Sequence, residues 1–148
     1  MQSPTPATSR RESAGGLRVL AYVLIAIGSA LGGMGRYFVS GVVTTLTGGT
    51  FPYGTMIVNI TGCLVIGFFA TLTAPDGRLL VGTPARQFVM IGICGGYTTF
   101  SSFSLETLYL MQAGELMPAV LNAAGSVVLC LVSVSIGYVA AAALNRGV

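Results

Sequence analysis

The chain has no lysine, no histidine and no tryptophan, and charged residues make up only 7% of its 148 positions. An ordinary soluble domain carries roughly a quarter charged residues, so a water-facing surface cannot be assembled from this composition. Without histidine there is no usual general base for a serine or cysteine nucleophile. Asp76 is the sole aspartate, so no aspartyl pair can form either, and a membrane-embedded hydrolase is excluded. The seven basic residues are all arginine and too sparse for a phosphate-binding surface, so the basic pI implies no nucleic-acid partner. Cys63, Cys94 and Cys130 sit inside apolar runs at spacings that match neither a metal site nor a disulfide framework. They read as small packing residues.

What is present is apolar. Hydrophobic residues make up 53% of the chain and the mean hydropathy is +0.84. A hydrocarbon core about 30 Å thick asks for about 20 apolar residues per helix, which leaves room for four short-looped spans and no separate soluble domain. Residues 1–16, rich in Ser, Thr, Pro and Arg, read as a disordered cytoplasmic tail, and 17–148 as one four-helix transmembrane domain. The apolar run after the tail continues through Gly28 and Gly32, beyond the reach of a cleavable signal, so it is a span.

The first span is expected from about Arg18 to Ser40. Its Gly28, Gly32 and Arg36 stand at four-residue spacing, which lets another helix approach closely. The turn-prone run from Thr47 to Pro52 leads into a second span, Tyr53 to Thr73, with Asn59 in its interior. The fourth span, Met117 to Leu144, follows a turn at Gly114 and Glu115. Four spans place both termini and the middle loop on one side, together with Arg10, Arg11, Arg18, Arg78, Arg86 and Arg146. The positive-inside rule makes that side cytoplasmic.

The third stretch, Arg86 to Met111, is unlike an ordinary span. Only Phe88 to Cys94 is continuously apolar, and then comes Gly95-Gly96-Tyr97-Thr98-Thr99-Phe100-Ser101-Ser102-Phe103-Ser104. A helix interrupted at bilayer depth exposes peptide groups that lipid cannot satisfy, at several kcal/mol each, so such a break points to a binding site. A kink stabilised by Ser and Thr is the plainer alternative. If the helix restarts near Thr99, Phe100 and Phe103 share a face. Their electropositive ring edges could stabilise an anion, although two Phe at this spacing are more often simple core.

Asn59, with Thr55 one turn before it, offers N–H donors to a small hydrated anion, or else glues two helices. Asn122, Ser126, Cys130, Ser133 and Gly137 form a small polar stripe on the fourth span that either lines a path or closes a seam. Arg36 and Glu106 need water or partners at this depth and read as pore-mouth or structural residues.

Three motifs carry a resemblance: Gly-Gly-Met-Gly-Arg at 32–36, Gly-Thr-Met-Ile-Val-Asn-Ile-Thr-Gly at 54–62, and Gly-Gly-Tyr-Thr-Thr-Phe-Ser-Ser-Phe-Ser-Leu-Glu at 95–106. Together they resemble the CrcB/Fluc fluoride channels over nearly all of Leu17 to Leu144. The resemblance implies a passive, fluoride-specific channel in the cell inner membrane, an antiparallel dual-topology dimer of four-helix subunits that lowers cytoplasmic fluoride. It implies Asn59 as the pore amide and Phe100 and Phe103 as the rings along the path, with Thr99 and Ser102 beside them. Thr55, Ser126 and Asn122 would continue a polar track, in which Cys130 is less polar than the hydroxyl expected.

It also implies a structural sodium ion held at the dimer centre by the backbone carbonyls of Gly95 and Thr98, a donor set suited to a hard cation. A homodimer is preferred over a heterodimer with an oppositely oriented homologue, although the lopsided arginines suit the latter. The alternative of similar size is a four-span multidrug antiporter. Such transporters resemble one another through an acid in the first span, where this chain has Arg36 instead.

Overall fold

The computed structural model describes the backbone of residues 6–146 and the side chains of residues 15–146. Of the expected tail, residues 1–5 lie outside the described residues, and 6–16 carry helical backbone at the start of α1 (Pro6–Thr47). The order continues with α2 (Tyr53–Leu72), α3 (Thr83–Gln87), a π-helical segment (Phe88–Cys94), α4 (Gly95–Tyr97), α5 (Phe100–Gln112) and α6 (Leu116–Asn145). Among the described residues, four stretches are long and apolar enough to cross a membrane: 15–47, Tyr53–Leu72, Thr83–Gln112 and Leu116–Asn145. This is an all-helical, four-span chain with a broken third span, as expected. The first span runs past the expected Ser40 to Thr47, because the Val- and Thr-rich residues after Ser40 keep bonding in helical register, with Thr45 and Thr47 hydroxyls donating back to the carbonyls of Gly41 and Val43.

Both foreseen turns are built on glycine. Gly48 (φ 75°) and Gly49 (φ 71°) follow α1, and Gly114 (φ 78°) separates α5 from α6; side chains disfavour that left-handed backbone. The spans pack through glycine as well. A Cβ on Gly28 would meet the Phe88 carbonyl at 2.7 Å and the Gly92 Cα at 2.9 Å, and one on Gly32 would collide with the backbone of Ile93 and Tyr97. The first span and the first half of the third therefore touch backbone to backbone.

Along the parallel pair α2 and α6, Gly67 meets the backbone of Val134 and Gly137 that of Leu64, while the Ser133 hydroxyl donates to the Ile60 carbonyl (2.8 Å). The far end of this pair is closed by Asn145. Its Nδ2 donates to the Thr71 carbonyl (3.0 Å) and its Oδ1 accepts from the Arg78 N–H (2.9 Å). Such packing is the expected answer where lipid removes any hydrophobic drive between helices.

The segment Phe88–Cys94 is wound with the wider π turn rather than the α turn. It lies along Gly28 and Gly32 of α1, with its own Gly92 in the contact. A π turn shifts the downstream residues by one position relative to an α-helix, and such insertions recur at functional sites.

Candidate functional site

The third span breaks where two β-branched residues follow the glycine pair. Thr98 (φ −76°, ψ 157°) and Thr99 (φ −151°, ψ 116°) are extended, the conformation such side chains favour. The break sits beside Gly32 and Gly62, near the middle of the neighbouring spans. Its freed peptide groups are held by side chains. The Thr98 N–H and hydroxyl both donate to the Cys94 carbonyl (3.0 Å each). The Thr99 N–H donates to Asn59 Oδ1 (2.8 Å), and Asn59 Nδ2 donates back to the Thr99 carbonyl (2.9 Å).

Asn59 thus pairs with a backbone unit as a neighbouring strand would. Thr99 then caps the restarting helix, its Oγ1 accepting from the Ser102 N–H (3.1 Å), an arrangement worth about 1 kcal/mol. Below the break, the Tyr97 and Thr61 hydroxyls lie 3.0 Å apart and tie α4 to α2.

Two recesses open on either side. The first, about 1170 Å³, is lined by Arg36, Ser40, Thr44, Thr55, Thr99, Ser102 and Glu106. Thr55, buried, donates its hydroxyl to Glu106 Oε1 (2.7 Å); the other carboxylate oxygen, Oε2, is buried with no partner. Arg36 and Glu106 therefore put opposite charges on the wall of one cavity, where each needs water or an ion.

The second recess, a groove of about 430 Å³, is lined by Asn59, Cys63, Cys94, Gly95, Thr98, Thr99, Phe100, Phe103, Ser126 and Cys130 among others. Phe100 and Phe103 share a face, ring centroids 5.3 Å apart and tilted by 46°. Phe103 is half-buried, while Phe100 is 77% exposed. Thr99 alone among the residues at the break lines both recesses, so the interruption forms the wall between a charged cavity and an aromatic groove.

Of the residues singled out from the sequence, the cavity gathers Arg36, Thr55, Thr99, Ser102 and Glu106, and the groove gathers Asn59, Gly95, Thr98, Phe100, Phe103 and Ser126. Asn122 joins neither lining. It is 1% exposed, its Nδ2 donating to Thr107 Oγ1 (2.8 Å) and its Oδ1 accepting from Ser126 (3.4 Å), so it ties α5 to α6. The fourth-span stripe divides along its length: Ser126 and Cys130 border the groove, Ser133 and Gly137 close the seam with α2. Ser40 and Thr44 of the cavity escaped the sequence reading, because Ser40 is the last residue of the expected first span and Thr44 lies beyond it; two hydroxyls one helical turn apart were the available signal.

The resemblance implies a sodium ion on the Gly95 and Thr98 carbonyls, and the break supplies a test of fit. The amide that would close the next helical turn onto the Gly95 carbonyl is that of Thr99, and Asn59 holds it instead. Gly95 is also exposed on the groove. A carbonyl relieved of its helical donor and open at the surface suits a hard cation.

Four spans, one interrupted halfway and bordered by a charged cavity and a ring-lined groove, define a multi-pass membrane protein built around a broken helix. A family model described as "CrcB-like protein, Camphor Resistance (CrcB)" matches residues 23–138. The chain is 56% identical over 125 residues to the "Fluoride-specific ion channel FluC" of Methylocella silvestris, covering 84% of this chain and 95% of that one. It is 56% identical over 124 residues to that of Opitutus terrae (84% and 94%), and 53% identical over 128 residues to that of Paramagnetospirillum magneticum (86% and 100%). The chain belongs to the CrcB family, which sets aside the multidrug-antiporter alternative.

Proposed function

We propose that the chain is the subunit of a fluoride-specific ion channel of the inner membrane, a passive pore that lets cytoplasmic fluoride leave down its gradient. The observation that carries this reading is Thr99, at the break, standing between the Arg36/Glu106 cavity and the Phe100/Phe103 groove. Arg36 draws anions into the cavity. Hydroxyls of Thr55, Thr99 and Ser102 replace part of the hydration shell, and the edges of the two rings then hold the anion weakly enough to release it. Asn59 has spent one N–H and its oxygen on Thr99, so its remaining N–H is the donor available to the ion. Ser126 continues the path along the groove.

The functional unit is an antiparallel dimer. Gly95 and Phe100 stand exposed at mid-span, and lipid cannot satisfy an open peptide group there, so a second copy covers this face. The Gly95 and Thr98 carbonyls would hold a sodium ion, which would supply positive charge beside the break. A homodimer is preferred, with a heterodimer as the reading that the arginine bias would support.

The test is fluoride release from liposomes carrying the purified chain, followed with a fluoride electrode. Release by the wild type, its loss in Phe100→Ile and Asn59→Asp, and its decline without sodium are expected. Undiminished release in both variants would defeat the site assignment. No wild-type release would turn the reading to the heterodimer, tested by co-expression with a homologue.

A further inference from the structure

The three cysteines, scattered from 63 to 130 along the chain, all line the aromatic groove. Cys63 and Cys130 stand apart from the third because they are neighbours across the seam between α2 and α6. The helix register explains why. One turn beyond them on the same two helices, a Cβ on Gly67 would run into the Val134 backbone, so α2 and α6 are nearly in contact there. One turn before them, Asn59 and Ser126 border the same groove. The pair therefore stands where the parallel seam borders the groove beside the rings. Both residues are half-buried, whereas Cys94, on the third span, is 3% exposed.

We propose that Cys63 and Cys130 form a two-sulfur binding site for a soft divalent cation of the mercury(II) class in the wall of the groove. Soft thiolates select soft metals, and a linear two-coordinate ion needs no further protein ligand. No three Cys, His, Asp or Glu side chains among the described residues converge to hold a metal, so tetrahedral zinc is not the fit. Each thiol gives up its proton to solvent, two metal–sulfur bonds form, and no electron is transferred. Two thiolates and one divalent ion sum to zero charge, which an apolar wall tolerates where a net charge would be expelled. The bound ion lies beside Phe100 and Phe103 and narrows the groove, so it also obstructs the path argued above; that second consequence rests on the channel reading, the binding itself does not.

The binding test titrates the purified chain in detergent with mercuric chloride. Free thiols are counted with a chromogenic disulfide reagent, and the sulfur-to-mercury charge-transfer absorption is followed in the ultraviolet. One equivalent removes two thiols in the wild type and in Cys94→Ala. Cys63→Ser and Cys130→Ser each weaken binding by about a hundredfold or more, because the second sulfur acts at high effective concentration. Cys63→Ala and Cys130→Ala repeat the comparison should a serine variant fold poorly. Unchanged affinity in the single variants, or two ions bound independently in the wild type, would overturn the site whatever the chain conducts. In liposomes, each protein is compared with its own mercury-free rate: mercury stops fluoride release by the wild type and leaves that of the Cys63→Ser/Cys130→Ser double variant at its own basal rate, whatever that rate is; release that persists in mercury-loaded wild type would overturn the obstruction alone.

Discussion

The two halves of the third span cross the same membrane by different chemistry. From Phe88 to Tyr97 the chain lies against α1 with glycine on both sides of the contact, Gly28 and Gly32 facing Gly92 and Gly96, and almost no side chain intervenes. From Thr98 to Gln112 it is held by side-chain hydrogen bonds: Asn59 to Thr99, Thr55 to Glu106, Asn122 to Thr107. The first half is a packed strut that admits nothing. The second is an anchored, capped helix that leaves a recess on either side of its start. A membrane span can keep an open backbone only where fixed polar partners replace the lost helical bonds, and here the strut holds the break at a depth where those partners reach it.

The sharpest way to break this comparison is at the strut. Gly32→Val puts methyl groups into the Ile93 and Tyr97 backbone and is expected to cost about 3 kcal/mol or more, since neither partner is a side chain that can swing aside. Loss of monodisperse protein on size exclusion and a lowered thermal midpoint would register it, and an unperturbed midpoint would mean that the helices are not in backbone contact. Next comes the anchor. Asn59→Asp keeps the acceptor for the Thr99 N–H but sets a carboxylate oxygen against the Thr99 carbonyl, leaving that acceptor unsatisfied at about 1–3 kcal/mol. Thermal unfolding in detergent reads the loss, and fluoride release falls with it; Asn59→Leu, which removes both bonds, is the harsher companion.

Thr55→Val is expected to cost less, about 1 kcal/mol, because water in the cavity can replace the hydroxyl at Glu106. Paired with Glu106→Gln, in which the amide oxygen still accepts from Thr55, it separates loss of the bond from loss of the charge. The smallest effect on stability falls at Phe100→Ile: the ring is 77% exposed in the single chain, so stability in thermal unfolding falls by under about 1 kcal/mol while fluoride release is lost. A large stability loss there would make the ring a packing element and dissolve the contrast between strut and groove.

Much of this is legible in the sequence. A Gly-Gly pair followed by Thr-Thr in an otherwise apolar run signals a break because no stable helix places those residues together at bilayer depth without purpose, and Phe100 and Phe103 fall on one face by helical spacing alone. Gly28 and Gly32 announced a close approach in the same way, though not to which helix. Which partner Asn59 takes was not legible. An amide inside a span announces only that it needs partners; the bonds from α2 to Thr99 fit the helix-glue reading, but that both go to one peptide unit, as a neighbouring strand's would, follows only from the fold. The π winding of Phe88–Cys94 was equally hidden. Its residues suit an α-helix, and no residue within the segment announces the extra position in the turn. The end of the first span slipped by about seven residues because Thr and Gly after Ser40 resemble a turn until neighbouring turns of helix absorb their hydroxyls.

Composition and periodicity by themselves determined that the chain is a membrane protein of four spans, that its third span is interrupted and that glycine brings its helices together, because each of these follows from what a residue costs in hydrocarbon or on one face of a helix. Only the folded chain decided which side chain holds the broken backbone, that Asn122 is glue while Ser126 borders the groove, and that Cys63 and Cys130 share the wall of that groove. Those outcomes depend on the rotation and depth of one helix against another, and a shift of a single turn would exchange partners without changing any residue's own preference.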